Sequence, residues 1–165
     1  MLKLYRLTPS KKEYWETWDN NNGSHEIHWG ALGTRGESKT VKSGLFKKAE
    51  AVIQTQVDAR LAEGFQPIDI EDHFIVLVEY AINRMGTKED LEKRHRLQAF
   101  MDETLGWTGL GACDGGSIGS GTMEVCNYVV DFELAKSVIE KALANTEFAN
   151  YTRIFDENAQ GVVAI

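Results

Sequence analysis

Two stretches of this 165-residue chain hold residue types that could do chemistry. The first, HWGALGTRG over positions 28 to 36, sets Trp29 directly before Gly30, with Gly33 and Gly36 close behind and Arg35 among them. Glycines beside a bulky indole let other molecules approach the backbone closely, and an exposed indole can stack on a sugar or a base. Downstream, Arg35, Lys39, Lys42, Lys47 and Lys48 stand against a single acid, Glu37, which suits phosphate. Trp29, Gly30, Arg35, Lys39 and Lys42 are therefore the candidate nucleic-acid-binding residues. The simpler reading makes Trp29 a core aromatic packed on a helix.

The second stretch, GLGACDGGSIGSG, is not a phosphate loop. It lacks the Lys-Ser/Thr that closes such a loop, no Lys or Arg occurs from Gly106 to Gly121, and a strand rather than a helix is expected after it. Asp114 is one carboxylate, and calcium takes six to eight oxygens. The stretch reads as a wide hairpin loop, with Trp107 and Asp114 as a further candidate site. Long loops without such a role are uncommon.

Other combinations do not assemble. His25 and His28 are three apart, which on a strand places them on opposite faces. His95 sits in a charged helix and reads as solvated. Cys113 and Cys126 read as packing residues, with no local signature pairing them with His73 or His95. Glu79 and Glu124 fall on strands expected to be neighbours, and a close carboxylate pair raises one pKa. One or both are expected near the sheet edge, in water. No metal site, cofactor or catalytic residue is expected, and the chain reads as a non-enzymatic binder.

These residues need elements to position them. In the first half, Leu2 to Leu7, Tyr14 to Trp18, Ser24 to Trp29 and Ser38 to Lys42 read as four strands, with a hairpin signal at Asp19 to Gly23. Leu45, Phe46, Ala49, Val52, Ile53, Val57 and Leu61 then recur at helical spacing. Ser43 or Gly44 is expected to cap that helix, and Gly64 to end it. The connector FQPIDIEDH sets the boundary, giving domains 1–68 and 69–165.

The second half opens with FIVLVEY, the pattern of a strand buried on both faces. A helix capped at Thr87 is expected to run to about Thr104. Trp107 to Ala112 is expected as a short strand, Thr122 to Val130 as another, a helix capped by Asp131 next, and Tyr151 to Phe155 as the last strand. The order β-α-β-β-α-β is the split βαβ, or ferredoxin-like, arrangement. The fold class is thus α+β: an antiparallel sheet with one covering helix, followed by a ferredoxin-like domain.

Charge divides the same way. Positions 1–68 carry ten Lys/Arg against eight Asp/Glu, or +2, and positions 69–165 carry eight against seventeen, or −9, giving −7 overall. An acidic second half argues against gripping nucleic acid there and suits a basic protein partner. No apolar run approaches the roughly 18 residues of a membrane span. The opening MLKLYRLTPSKKEYWETW lacks the apolar core of a secretory signal, so a cytoplasmic protein is expected.

KEYWETW, the Asn20 to Gly23 hairpin, HWGALGTRGESKTV and the helix ending Ala62-Glu63-Gly64-Phe65 together resemble a WGR domain, over about positions 1–68. In poly(ADP-ribose) polymerases that domain binds DNA ends, its tryptophan packing on a terminal nucleotide and nearby basic residues meeting phosphate. The resemblance gives Trp29 the first role and implies contact with DNA ends or nicks. The arginine that names the motif is replaced by Ala31, which can make none of its hydrogen bonds. Nothing after position 69 resembles the catalytic domain of those enzymes. That half faintly resembles small bacterial ferredoxin-like domains of unassigned role, through an L-G-x-x-D-G-x-x-x-G-x-G-T pattern, which implies a fold and no activity. The alternative to DNA contact is a regulator or inhibitor whose acidic half engages a basic partner.

Overall fold

The computed structural model describes residues 1–45 and 48–161. Phe46 and Lys47, placed by the sequence in the helical stripe and the basic segment, lie outside the described residues. The chain is mixed α+β and forms two compact units, Met1–Asp69 and Ile70–Ile165.

The first unit is a four-stranded antiparallel sheet in sequence order: β1 (Leu2–Leu7), β2 (Lys12–Asp19), β3 (Ser24–Ala31) and β4 (Glu37–Lys42). Alternation splits its side chains cleanly. Leu4, Trp15, Ile27 and Trp29 share one face through the pairings Leu4 with Trp15 and Trp15 with Trp29. Helix α1 (Ala49–Ala62) covers that face, burying Ile53 and Val57 against Leu4, Trp15, Ile27 and Phe65. The helix starts later than its apolar spacing predicts. Leu45 is 97% exposed, and the Ser43 hydroxyl accepts from Ala49 N–H at 3.0 Å, capping the first turn from outside. Gly64, at φ +89°, follows the helix end as expected.

The opposite face is buried where residues 31 to 36 fold back over it. His28 is 1% exposed, and its Nδ1 donates to Glu16 Oε1 at 2.7 Å, while Glu16 also pairs with Lys3 at 3.2 Å. Its Nε2 lies 2.5 Å from the Arg35 carbonyl oxygen and 3.0 Å from the Tyr14 hydroxyl, which donates to the Thr34 carbonyl at 3.1 Å. Burial, with Glu16 nearby, pushes the Tyr14 phenol well above its ordinary range, so it stays a neutral hydrogen-bonding group.

The second unit holds an antiparallel sheet in the order β6-β7-β5-β8: β5 (Phe74–Ala81), β6 (Gly111–Gly119), β7 (Thr122–Val129) and β8 (Arg153–Asp156). Val76, Val78, Tyr80, Met123, Val125 and Val129 are buried on one face. Both helices, α2 (Lys88–Trp107) and α3 (Phe132–Leu143), serve that face: Lys93 of α2 lies 4.4 Å from the Tyr80 ring, and Phe132 of α3 tilts against Phe74. Thr87 and Asp90 form the expected reciprocal cap of α2, and Asp131 caps α3.

The glycine-rich stretch corrects the sequence reading. Residues 107 to 112 are not a separate strand. Helix α2 carries its Leu97, Met101 and Leu105 stripe through to Trp107, and the run from Gly111 to Gly119 is one nine-residue strand, not a wide loop. It turns back through Ser120 and Gly121. A Cβ at Gly111 would strike the Tyr128 carbonyl oxygen, and one at Gly116 the Glu124 carbonyl oxygen, so glycine is what lets this strand lie against β7. The register shifts by one residue between Cys113 and Gly115. Helix α2 also engages the peptide groups of this edge strand: Asp102 Oδ1 accepts from Cys113 N–H at 3.3 Å, and Arg94 Nη1 donates to the Gly116 carbonyl at 3.0 Å.

Candidate nucleic-acid interface

Trp29 is half-buried. It packs against the core beneath α1 on one side and borders a cleft of about 140 Å³ on the other, lined also by Glu13, Trp15, Gly30, Ala31, Arg60 and Phe65. The ring is neither swallowed by the core nor free of it.

The glycines have a structural role. A Cβ on Gly30 would come within 2.7 Å of the Gly36 Cα, and one on Gly36, at φ +63°, would strike the Trp29 carbonyl oxygen and the Tyr14 hydroxyl. They allow the bend to fold against β3, and the bend in turn fixes the strand end that carries Trp29.

Arg60 lines the cleft, and Arg6 and Lys11, from elements far from it in sequence, bind the lining residue Glu13. Arg6 of β1 donates from Nε to Glu13 Oε2 at 2.9 Å, and Lys11 pairs with Glu13 Oε1 at 2.7 Å. Burial would raise the Glu13 carboxyl, but the hydrogen bonds from Lys11 and Arg6 outweigh it and hold it below the usual range. The Phe65 ring is flanked by two guanidinium groups, Arg6 at 4.9 Å and Arg60 at 5.7 Å from its centroid. Arg60 pairs with Glu63 at 2.6 Å across one helical turn.

The predicted basic segment divides. Lys39, opposite Ile27, shares the Trp29 face, as does Glu37, which lies directly opposite Trp29. Lys42 alternates to the other face. Arg35 is exposed in the bend, its carbonyl turned to His28. The structure thus groups Trp29 and Gly30 with Arg60, Phe65 and Glu13, the last holding Arg6 and Lys11, none of which the sequence reading selected. Ala31 is exposed and lines the same cleft.

The second candidate site does not form as a loop. Trp107 ends α2 at 38% exposure, and Asp114 sits at the bulge in β6, beside an open depression lined by Gln98, Asp102 and Cys113. The Glu79 and Glu124 pair is also corrected. The two are directly opposed on the sheet face without a helix, but Glu79 is buried rather than solvated. Arg153 forks onto it with two bonds of 2.9 Å, and these hydrogen bonds hold the Glu79 carboxyl below its ordinary range. Ser117, Glu124, Glu79 and Arg153 form one polar row across all four strands, with Ser117 and Glu124 oxygens 3.2 Å apart.

Among the described residues no helix is long and apolar enough to cross a membrane. Compared with protein-family models, with curated proteins and with solved structures, the chain matches none.

Proposed function

We propose that the chain is a non-enzymatic binding protein whose first unit, of WGR type, contacts nucleic acid at DNA ends or nicks. One observation carries this: a half-buried indole, packed on the core from behind, faces a cleft lined by Arg60 and by Glu13, which holds Arg6 and Lys11. A fixed aromatic surface next to cations suits a stacked nucleotide and its phosphate. The antiparallel sheet covered by α1 supports the WGR reading, and the order β6-β7-β5-β8 supports a ferredoxin-like second unit. The cations around the cleft offer phosphate contacts that Ala31 does not.

The test is a salt titration of binding to nicked, blunt and single-stranded DNA. Affinity should fall linearly with salt on logarithmic axes, as counterions are released. Trp29→Ala should weaken binding roughly 5- to 150-fold, the equivalent of about 1–3 kcal/mol of stacking, and Trp107→Ala should leave it unchanged. Absence of binding to all three DNAs at low salt refutes the proposal. A second reading, that the acidic unit engages a basic partner, is favoured by Glu124 in the polar row on the helix-free face. Capture of a lysine-rich peptide through Glu124, with no DNA binding, would select it.

A further inference from the structure

We infer that the helix-free sheet face of the second unit docks an extended segment of a basic partner protein, which presents an arginine or lysine and then two apolar residues on one side. This rests on the second reading above, that the acidic unit engages a basic partner, and names the surface and the segment.

Strand register arranges the face in three rows. Tyr128 of β7 stands opposite Ile75 of β5. Cys126 stands between Gly115 and Leu77 with Phe155 beyond, and Glu124 between Ser117 and Glu79 with Arg153 beyond. Neighbouring rows are two residues, or roughly 7 Å, apart along the strands. The first two rows are apolar, and Ile75, Cys126, Tyr128 and Phe155 are each partly exposed. The third is charged and unbalanced. Glu79 and Glu124 are directly opposed, yet Arg153 forks onto Glu79 alone and lies 4.1 Å from the centroid of the Phe155 ring. Glu124 accepts from the Ser117 hydroxyl at 3.2 Å and, among the described residues, pairs with no cation.

Charge selects the occupant. Six of the unit's eight Lys/Arg lie on α2 and α3, and Arg84 lies between β5 and α2, which leaves Arg153 as the cation of the three rows. Asp114, Glu157 and Glu124 add to burial in pushing the Cys126 thiol up, so the field at the middle row is negative. A second copy of this unit would bring more acid to the face and be repelled. An incoming cation on Glu124 balances the charged row, and apolar residues two and four positions along an extended segment then meet Leu77 with Phe155, and Ile75 with Tyr128.

The experiment titrates the whole isotope-labelled chain, followed by NMR, with end-blocked Arg-Ser-Leu-Ser-Leu, the same peptide with citrulline for arginine, and Arg-Ser-Ser-Ser-Ser. The parent peptide at millimolar concentration should give saturable shifts at the backbone amides of Glu124, Cys126 and Tyr128, and should bind about fivefold or more tighter than either control. Glu124→Gln should lower the parent's affinity to that of the citrulline peptide and leave the citrulline peptide unchanged, a pattern that a loosened fold would not produce. Binding of Arg-Ser-Ser-Ser-Ser equal to the parent, or shifts confined to α2 and α3, overturns this inference alone and leaves a charge-driven basic partner standing. Unchanged parent binding in Glu124→Gln also overturns it. No saturable shift with either arginine peptide overturns this inference and the second reading together, with the DNA proposal for the first unit unaffected.

Discussion

Replacing Gly36 by alanine tests whether the bend after Trp29 is held by close backbone approach. Its φ of +63° is unfavourable for a side chain by roughly 1–2 kcal/mol. The new Cβ would also strike the Trp29 carbonyl oxygen, which is fixed by its strand, and the Tyr14 hydroxyl, which is tied to His28 and the Thr34 carbonyl. Overpacking of that kind adds about 1–3 kcal/mol, so the expected loss is about 2–5 kcal/mol. Gly64 provides the comparison: at φ +89° with nothing within 4 Å of its Cβ, Gly64→Ala incurs the backbone cost alone, roughly 1–2 kcal/mol. Urea unfolding followed by tryptophan fluorescence reads the difference, since Trp15, Trp18 and Trp29 all lie in the first unit. Equal midpoint shifts for the two variants, at unchanged slope, would refute the account of the bend as a steric latch.

Two further outcomes follow from the second unit. The Arg153 hydrogen bonds lower the Glu79 carboxyl, so their stabilisation is complete above the unfolded carboxyl's ordinary 4.5 and is lost as pH falls through the lower folded value. Wild-type melting temperature should therefore drop more steeply below pH 4.5 than that of Glu79→Gln, and parallel curves would contradict the pairing. Burial, reinforced by Asp114 and Glu157, raises the Cys126 thiol to about 11, so alkylation of Cys113→Ser should be slow near neutrality and accelerate toward that pH. A rate already at plateau by about pH 8.5, the value of a free thiol, would be inconsistent with that environment.

Local pattern carried the regular elements but not the exceptions. Period-two alternation placed Ile27 and Trp29 on one face and His28 on the other, as observed. Helix α1 was placed too early because Leu45 continues the apolar spacing while lying in solvent. The stretch from Gly111 to Gly119 was misread because glycine lowers strand propensity, and the reason for glycine there is the backbone of β7, far along the chain. The aromatic of the candidate site was legible, since an indole before clustered glycines is a local signal. Its cations were not: Arg6, Lys11 and Arg60 meet only when β1, the turn before β2 and the end of α1 converge. A weak clue was present in Arg60, Glu63 and Phe65, whose spacing clusters a cation, an acid and a ring at a helix end.

The anchoring of β6 by Asp102 and Arg94 has a bearing on how the protein behaves in a crowded solution. A glycine-rich border strand offers little side-chain bulk to discourage a foreign chain from zippering onto it, the first step toward fibrils. Here two helix side chains occupy amide and carbonyl groups that an incoming strand would need, on either side of a kink that spoils the repeat. The sheet can thus keep the glycines that its tight internal fit requires without leaving that border open to its own copies.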